Sequence, residues 1–206
     1  MKNASEMKLK LIEWLIDNYK TDIVIGSEVL YSPMTRRADL VMIHDKYSYA
    51  FEIKSDCDTV KLLNEQIEDY SKTFDFTFVV TTKTHLHEVE KRVPKNIGIL
   101  VSGDRIFQRR KASQIKRLNK RFLAEFLDKK TLIKCTGNIM KNHSIYDLRD
   151  LVSQKLDIKE IRKMAIAHLR KKYEYPSTLF EYDLKNSGIT IDDLKTLTGC
   201  EPSEIR

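Results

Sequence analysis

The sequence predicts an α/β protein with a mixed central sheet, followed by an all-helical C-terminal region. Three observations carry that expectation. Short apolar runs rich in β-branched and aromatic residues alternate with segments of helical period. Two of these runs, Ala38 to Ile43 and Tyr47 to Lys54, flank the polar triplet His44-Asp45-Lys46 and read as a hairpin. From Asn119 onward only helical spacing remains.

Each element has its own warrant. Ser5 is the expected cap of a first helix running through Tyr19, with Met7, Leu11, Trp14, Leu15 and Ile16 on one apolar face and Trp14 in the core. Asp22 to Leu30 reads as a strand carrying Glu28 near its end. The Tyr31 to Thr35 link leads to Arg36 and Arg37, which either contact a polyanion or pair with Glu28. After the hairpin, Ser55 to Thr59 is a loop, with Asp58 as N-cap of a helix bearing Val60, Leu62, Leu63, Ile67 and Tyr70. Asp56 has two readings, a cap or a reach toward the hairpin acids. Phe76 to Thr81 and Ile97 to Val101 are buried strands around a short helix, His85 to Arg92, and Arg105 to Arg109 is a candidate edge strand. Phe122 to Leu127, Ile145 to Val152 and Ile158 to Tyr173 are the expected C-terminal helices, the last ending in the basic Arg170-Lys171-Lys172, which suits the helix dipole. Thr190 to Ser203 reads as a helix, a glycine turn and a helix start, assigned to packing.

The hairpin also carries charge where a covered strand should not. A turn centred on Asp45 and Lys46 opposes residues whose numbers sum to 91, so Asp39 faces Glu52. Opposed Cβ atoms lie roughly 5 Å apart, where like charges repel. Lys54 shares the Glu52 face. Neighbouring positions are apolar, as in a sheet covered on both sides. A divalent cation is the simplest reason for two carboxylates there, since Mg²⁺ takes one or two carboxylates plus water and phosphate. Solvated, scattered charges are the bland alternative.

Asp39, a twelve-residue gap, then Glu52-Ile53-Lys54 closing an apolar strand resembles the PD-(D/E)xK nuclease superfamily. Glu28 matches the additional acid many members carry. Gln66 and Tyr70 match the Q-x-x-x-Y helix of its RecB-like branch, and the whole is most similar to the Sce7726 family of bacterial and phage proteins. Ala38 stands where the motif has proline. The resemblance implies a restriction-endonuclease-like αβββαβ core over residues 1–112, with residues 113–206 a helical extension packed on or beside it. It further implies a Mg²⁺- or Mn²⁺-dependent deoxyribonuclease. Asp39, Glu52 and the Ile53 carbonyl would hold the metal, with Glu28 assisting through a second metal or a water ligand. Lys54 would activate the attacking water, and Gln66 and Tyr70 would line the site.

Charge distribution fits a polyanionic partner. Residues 1–104 hold 14 basic and 17 acidic residues, and the rest hold 23 and 13, for +7 in all. The stretch from Arg105 to Arg121 has eight basic residues (Arg105, Arg109, Arg110, Lys111, Lys116, Arg117, Lys120, Arg121) and no acid. It reads as a solvated face or as a phosphate-contacting surface for DNA, with RNA an open alternative because nothing reads a 2′-hydroxyl.

Several classes are excluded or disfavoured. No run of about 18 apolar residues marks a membrane span, and the N-terminus lacks the apolar core of a signal peptide. Cys57, Cys135 and Cys200 are dispersed and odd in number, which suits reduced thiols in a cytoplasmic protein. No histidine pairs with cysteine at zinc-finger spacing, and no GxxxxGK[ST] loop supports a nucleotide cofactor. Oligomeric state is not legible. The competing function is a catalytically idle module of the same fold that binds DNA or a protein partner, such as a phage-encoded regulator or inhibitor.

Overall fold

The structure, a computed structural model, describes residues 3–31, 36–137 and 142–199. Helix α1 (Ala4–Tyr19) is followed by three antiparallel strands, β1 (Ile23–Leu30), β2 (Arg37–His44) and β3 (Tyr47–Lys54). Helix α2 (Leu63–Thr73) leads to β4 (Phe76–Thr81), helix α3 (Lys83–Arg92) to β5 (Gly98–Ser102), and an antiparallel edge strand, β6 (Ile106–Arg110), completes the sheet. The strands lie in chain order, and β3, β4 and β5 run parallel. This is the expected αβββαβ order in a mixed sheet, extended by α3, β5 and β6.

The hairpin register is the one the sequence predicts. Leu40 pairs with Phe51, Val41 with Ala50 and His44 with Tyr47, around a turn in which Asp45 takes φ 51°. Period-2 patterning decides this, because a one-residue slip would turn every apolar side chain to the wrong layer. One layer joins Met7, Leu11, Ile12 and Leu15 of α1 to Ile25, Leu40, Met42, Phe51, Ile53 and Val80. The opposite layer joins Val24, Val41, Ile43 and Ala50 to Tyr70 of α2 and to Phe74 just past its end. Farther along that face, α2 and α3 cover Val79, Ile99 and Val101.

Glu28 breaks the alternation. It has φ 53°, a left-handed conformation uncommon for a non-glycine residue, and the ladder steps from Ser27–Leu40 to Val29–Ala38 around it. Before it, Val24 and Ile25 pack in opposite layers; after it, Val29 joins the layer of Val24. The strand therefore changes facing at this residue.

The helical region is more divided than the sequence pattern suggests. Phe122 to Leu127 is a short helix, α4 (Lys120–Leu123), continued by a 3-10 turn, Ala124–Phe126, and the sequence reading omits α5 (Lys129–Thr136). Helix α6 (Ile145–Lys155) lies where expected. These pieces and the start of α7 (Ile158–Asn186) share one cluster around Leu123, Leu132, Leu148, Val152 and Ile161. Beyond it, α7 joins the sheet: Leu169 and Tyr173 enter one layer and Phe180 the other, so the helix passes across the β1 edge. There Ser177 Oγ accepts from Ile25 N at 3.0 Å, which covers part of an exposed strand edge. Gly26 admits this approach, since a Cβ would lie 2.9 Å from the Tyr173 ring.

The sequence reading ends α7 at Tyr173, on the basic cluster Arg170-Lys171-Lys172, and proline inside a helix removes a backbone donor. The helix continues through Pro176, and its buried stripe of Ile161, Ala165, Leu169, Tyr173, Ser177 and Phe180 runs unbroken across it. Arg170 is therefore mid-helix and pairs with Asp22 at 2.6 Å rather than closing a terminus. Leu194 and Leu197 of the 3-10 helix Ile191–Thr198 pack in the α1 layer. Cys200 and the helix start expected after it lie outside the described residues. Cys57 and Cys135 are free thiols, and among the described residues no helix is long and apolar enough to cross a membrane.

Candidate metal and active site

The ladder between β2 and β3 opens at its last position. Asp39 Oδ2 accepts from the Ile53 N–H at 2.7 Å, so a carboxylate takes the donor just past Leu40 and Phe51, where the strand pairing ends. Glu52 is held from the α2 side by Gln66 and Tyr70, and Asp39 lines the same cavity. The sequence sets these two acids directly opposite; the strand pairing ends at Leu40 and Phe51, and the two acids line one cavity.

Glu52 is 2% exposed and held from three directions. Lys54 Nζ lies 2.8 Å from Oε1, Gln66 Nε2 donates to the same oxygen at 2.5 Å, and Tyr70 Oη donates to Oε2 at 2.7 Å. The four-residue spacing of Gln66 and Tyr70 on α2 lets both reach one carboxylate. Tyr70 is fully buried, so it holds Glu52 instead of lining the site beside a substrate. Burial and the Glu52 charge push its phenol well above the ordinary range, which keeps the donating proton in place.

Glu28 does not join the pair. Its Oε1 lies 2.6 Å from Lys8 Nζ of α1, and Lys8 also donates to Ser27 Oγ at 3.1 Å. Among the described residues no three carboxylate, imidazole or thiolate groups converge as a ready cage. Lys8 was not singled out by sequence reasoning, although a signal existed: it lies four residues before the buried Ile12, on the apolar side of α1.

A cavity of about 320 Å³ is lined by Ser5, Lys8, Glu28, Asp39, Glu52, Ile53, Lys54, Asp58 and Gln66. Burial first, then the Glu52 charge, push the Asp39 carboxyl up to about 7, against the pull of the Ile53 N–H and Lys8. Two acceptors here lack donors among the described residues: Asp39 Oδ1, and the buried Gln66 Oε1. A small divalent ion with its water shell fits this set, because Mg²⁺ needs only one or two carboxylates and supplies O–H donors through its waters.

Other expected contacts fall differently. The cap of α1 is Asn3, not Ser5, with its side chain accepting from Glu6 N at 2.8 Å. Helix α2 starts only at Leu63, so Asp58 caps nothing and instead accepts from Ser55 N and Oγ. Asp56 does not cap α2; it accepts from Thr82 Oγ1 at 2.6 Å. Arg36 pairs with Asp69 at 3.1 Å and Glu65 at 3.5 Å rather than with Glu28, while Arg37 is exposed beside it.

The basic stretch divides by position. β6 starts opposite Ser102, at the end of the parallel strands where the acids sit, and runs away from it. Arg105 is therefore at the acid end. Arg109 pairs with Glu90, and Arg110 donates to the Ile97 carbonyl. Beyond Lys111 the chain crosses the other end of the sheet, where Ile115 N meets Asp75 O and Asn119 N meets Lys72 O. Lys116, Arg117, Lys120 and Arg121 lie there, away from the acids, and Arg121 is already paired with Glu125 and Asp150.

A family model described as bacteriophage P4 protein cII matches residues 1–198. The chain belongs to that family. Protein cII of Enterobacteria phage P4 is 32% identical over 206 residues, spanning 94% of this chain and 76% of its own length. A solved protein of unknown function from Silicibacter pomeroyi is 14% identical with a TM-score of 0.46, covering 80% of this chain and 90% of its own. The comparisons give the chain a phage relative and do not bear on the resemblance to nucleases.

Proposed function

We propose that this protein is a metal-dependent nuclease that hydrolyses phosphodiester bonds, with DNA as substrate. The observation that carries the reading is the opened hairpin end, where Asp39 and Glu52 line one cavity and Lys54 Nζ lies 2.8 Å from Glu52. Asp39, Glu52 and the Ile53 carbonyl would hold Mg²⁺ or Mn²⁺. The bound ion supplies Lewis-acid activation of water and of a phosphoryl oxygen. Lys54 orients the attacking water and stabilises charge on the phosphate. Gln66 and Tyr70 fix the Glu52 carboxylate, and Arg36, Arg37 and Arg105, at the same end of the sheet, contact the phosphate backbone.

Cleavage of supercoiled or linear DNA in Mg²⁺ or Mn²⁺ is the direct test. Lys54→Ala should reduce the rate by about 10²–10³-fold; equal cleavage by variant and wild type would remove the mechanism.

A second reading is favoured by one observation: both Glu52 oxygens already have donors. On this reading the chain is a catalytically idle module that binds DNA or a protein partner, such as a phage-encoded regulator or inhibitor, which suits its phage relative. Thermal unfolding separates the two. The nuclease reading expects Mn²⁺-dependent stabilisation that Asp39→Asn abolishes. The module reading expects no such shift, with salt-sensitive DNA binding retained.

A further inference from the structure

Three of the four acids that line the cavity, Glu28, Asp39 and Glu52, stand in a row across β1, β2 and β3, and an ammonium group stands at each flank. Lys54 meets Glu52 at 2.8 Å, and Lys8 meets Glu28 at 2.6 Å. Asp39, between them, has one oxygen bonded to a backbone N–H and the other without a donor among the described residues. The Lys8 side chain is only 10% exposed, and its Nζ is fixed further by Ser27 Oγ, which in turn reaches the Asp39 carbonyl at 3.4 Å. Its charge is felt at Asp39 itself.

A two-ion phosphodiester site needs a second set of oxygen ligands beside the first, with the ions about 3.5–4 Å apart. Of the two further acids, Asp58 accepts from Ser55 N and Oγ, which leaves Glu28 for that set, and its charge is already met by Lys8. The left-handed backbone at Glu28 holds this carboxylate out of the β1–β2 ladder, at the α1 end of the row.

We propose that the site takes a single divalent ion, and that the Lys8 ammonium fills, on Glu28, the place of a second one. This rests on the metal-dependent reading above. Lys8 is then a positioning residue: it supplies a fixed positive charge beside the first ion's ligands and keeps Glu28 from recruiting another cation.

The test is a Mn²⁺ titration of the full chain, counted by calorimetry and by the electron paramagnetic resonance signal of the free ion. The wild type should bind one ion. Lys8→Gln should bind two, and Lys8→Gln combined with Glu28→Gln should return to one, a gain and loss that a merely structural lysine would not produce. Glu28→Gln alone should keep one ion within a few-fold of wild-type affinity. Two ions in the wild type, an unchanged count in Lys8→Gln, or loss of the ion in Glu28→Gln would each overturn the assignment. Should Lys8→Gln fail to fold, the wild-type count and Glu28→Gln decide it. No ion at all would overturn the metal-dependent reading together with this proposal, whereas two ions in the wild type would overturn this proposal alone.

Discussion

The two ends of the sheet each bury a carboxylate, and they treat it in opposite ways. At the start of β4, Asp75 is 1% exposed and saturated with donors. Ser48 N and Oγ each donate to its Oδ2 at 2.9 Å, while Arg162 of α7 reaches Oδ1 at 2.8 Å and Oδ2 at 2.9 Å. The same arginine donates to the Lys46 carbonyl, so the helix is tied to strand and turn together. At the other end, Asp39 has one backbone donor, an acidic neighbour and a carboxyl raised to about 7. Asp75 is given everything it can accept, and Glu52 at the acid end is met on both oxygens as well, so it is Asp39 alone of the three that is left partly unmet.

That contrast is open to attack, most forcefully at Asp75. Asp75→Ala leaves Arg162 and Ser48 without their acceptor, and urea unfolding should show a loss of about 3–5 kcal/mol with divalent-ion binding unchanged. An equal loss of ion binding would erase the distinction between the ends.

Asp39→Asn should do the reverse: no loss of stability at pH 8 without metal, and loss of Mn²⁺ stabilisation. The pH dependence has a definite sign. A folded-state value raised from 3.8 to about 7 means that the native protein holds more protons than the unfolded chain between those limits. The contribution is present at low pH and is lost as the pH rises through about 7. Metal-free wild type should therefore show a falling limb of stability between about pH 4 and 7 that is absent from Asp39→Asn. Mn²⁺ binding should weaken below about pH 7, where a proton competes for the same carboxylate.

The smallest effects concern the surface cations. Arg105→Ala, at the acid end, should lower DNA affinity and reduce the slope of log K against log salt by about one. Arg117→Ala, at the Asp75 end, should leave that slope unchanged, as read by fluorescence anisotropy across salt concentrations.

What the sequence reveals follows from the range of the forces involved. The hairpin register was readable because period 2, a tight turn and two opposed acids constrain one another within a short stretch. Gln66 and Tyr70 were readable as partners because helical spacing alone puts them on one side of α2. Lys8 and Glu28 are 20 residues apart and meet only through the packing of α1 on the sheet, which no local pattern encodes. The helix past Tyr173 was missed because the basic cluster Arg170-Lys171-Lys172 suits a helix end, whereas the buried stripe continues through Pro176 to Phe180. The split of the basic stretch between two ends of the sheet depends on the direction of β6, and charge counting along a chain cannot supply it.

The reversal of facing at Glu28 has a consequence for how this strand tolerates change. Because residues before and after it obey opposite parities, β1 behaves as two half-strands hinged at one backbone step. Removing a single residue on either side would send Ile25 or Val29 into the wrong layer, whereas paired insertions or deletions within one half would preserve both. Length variation among relatives in this strand should therefore come in twos, with the acid step left where it is.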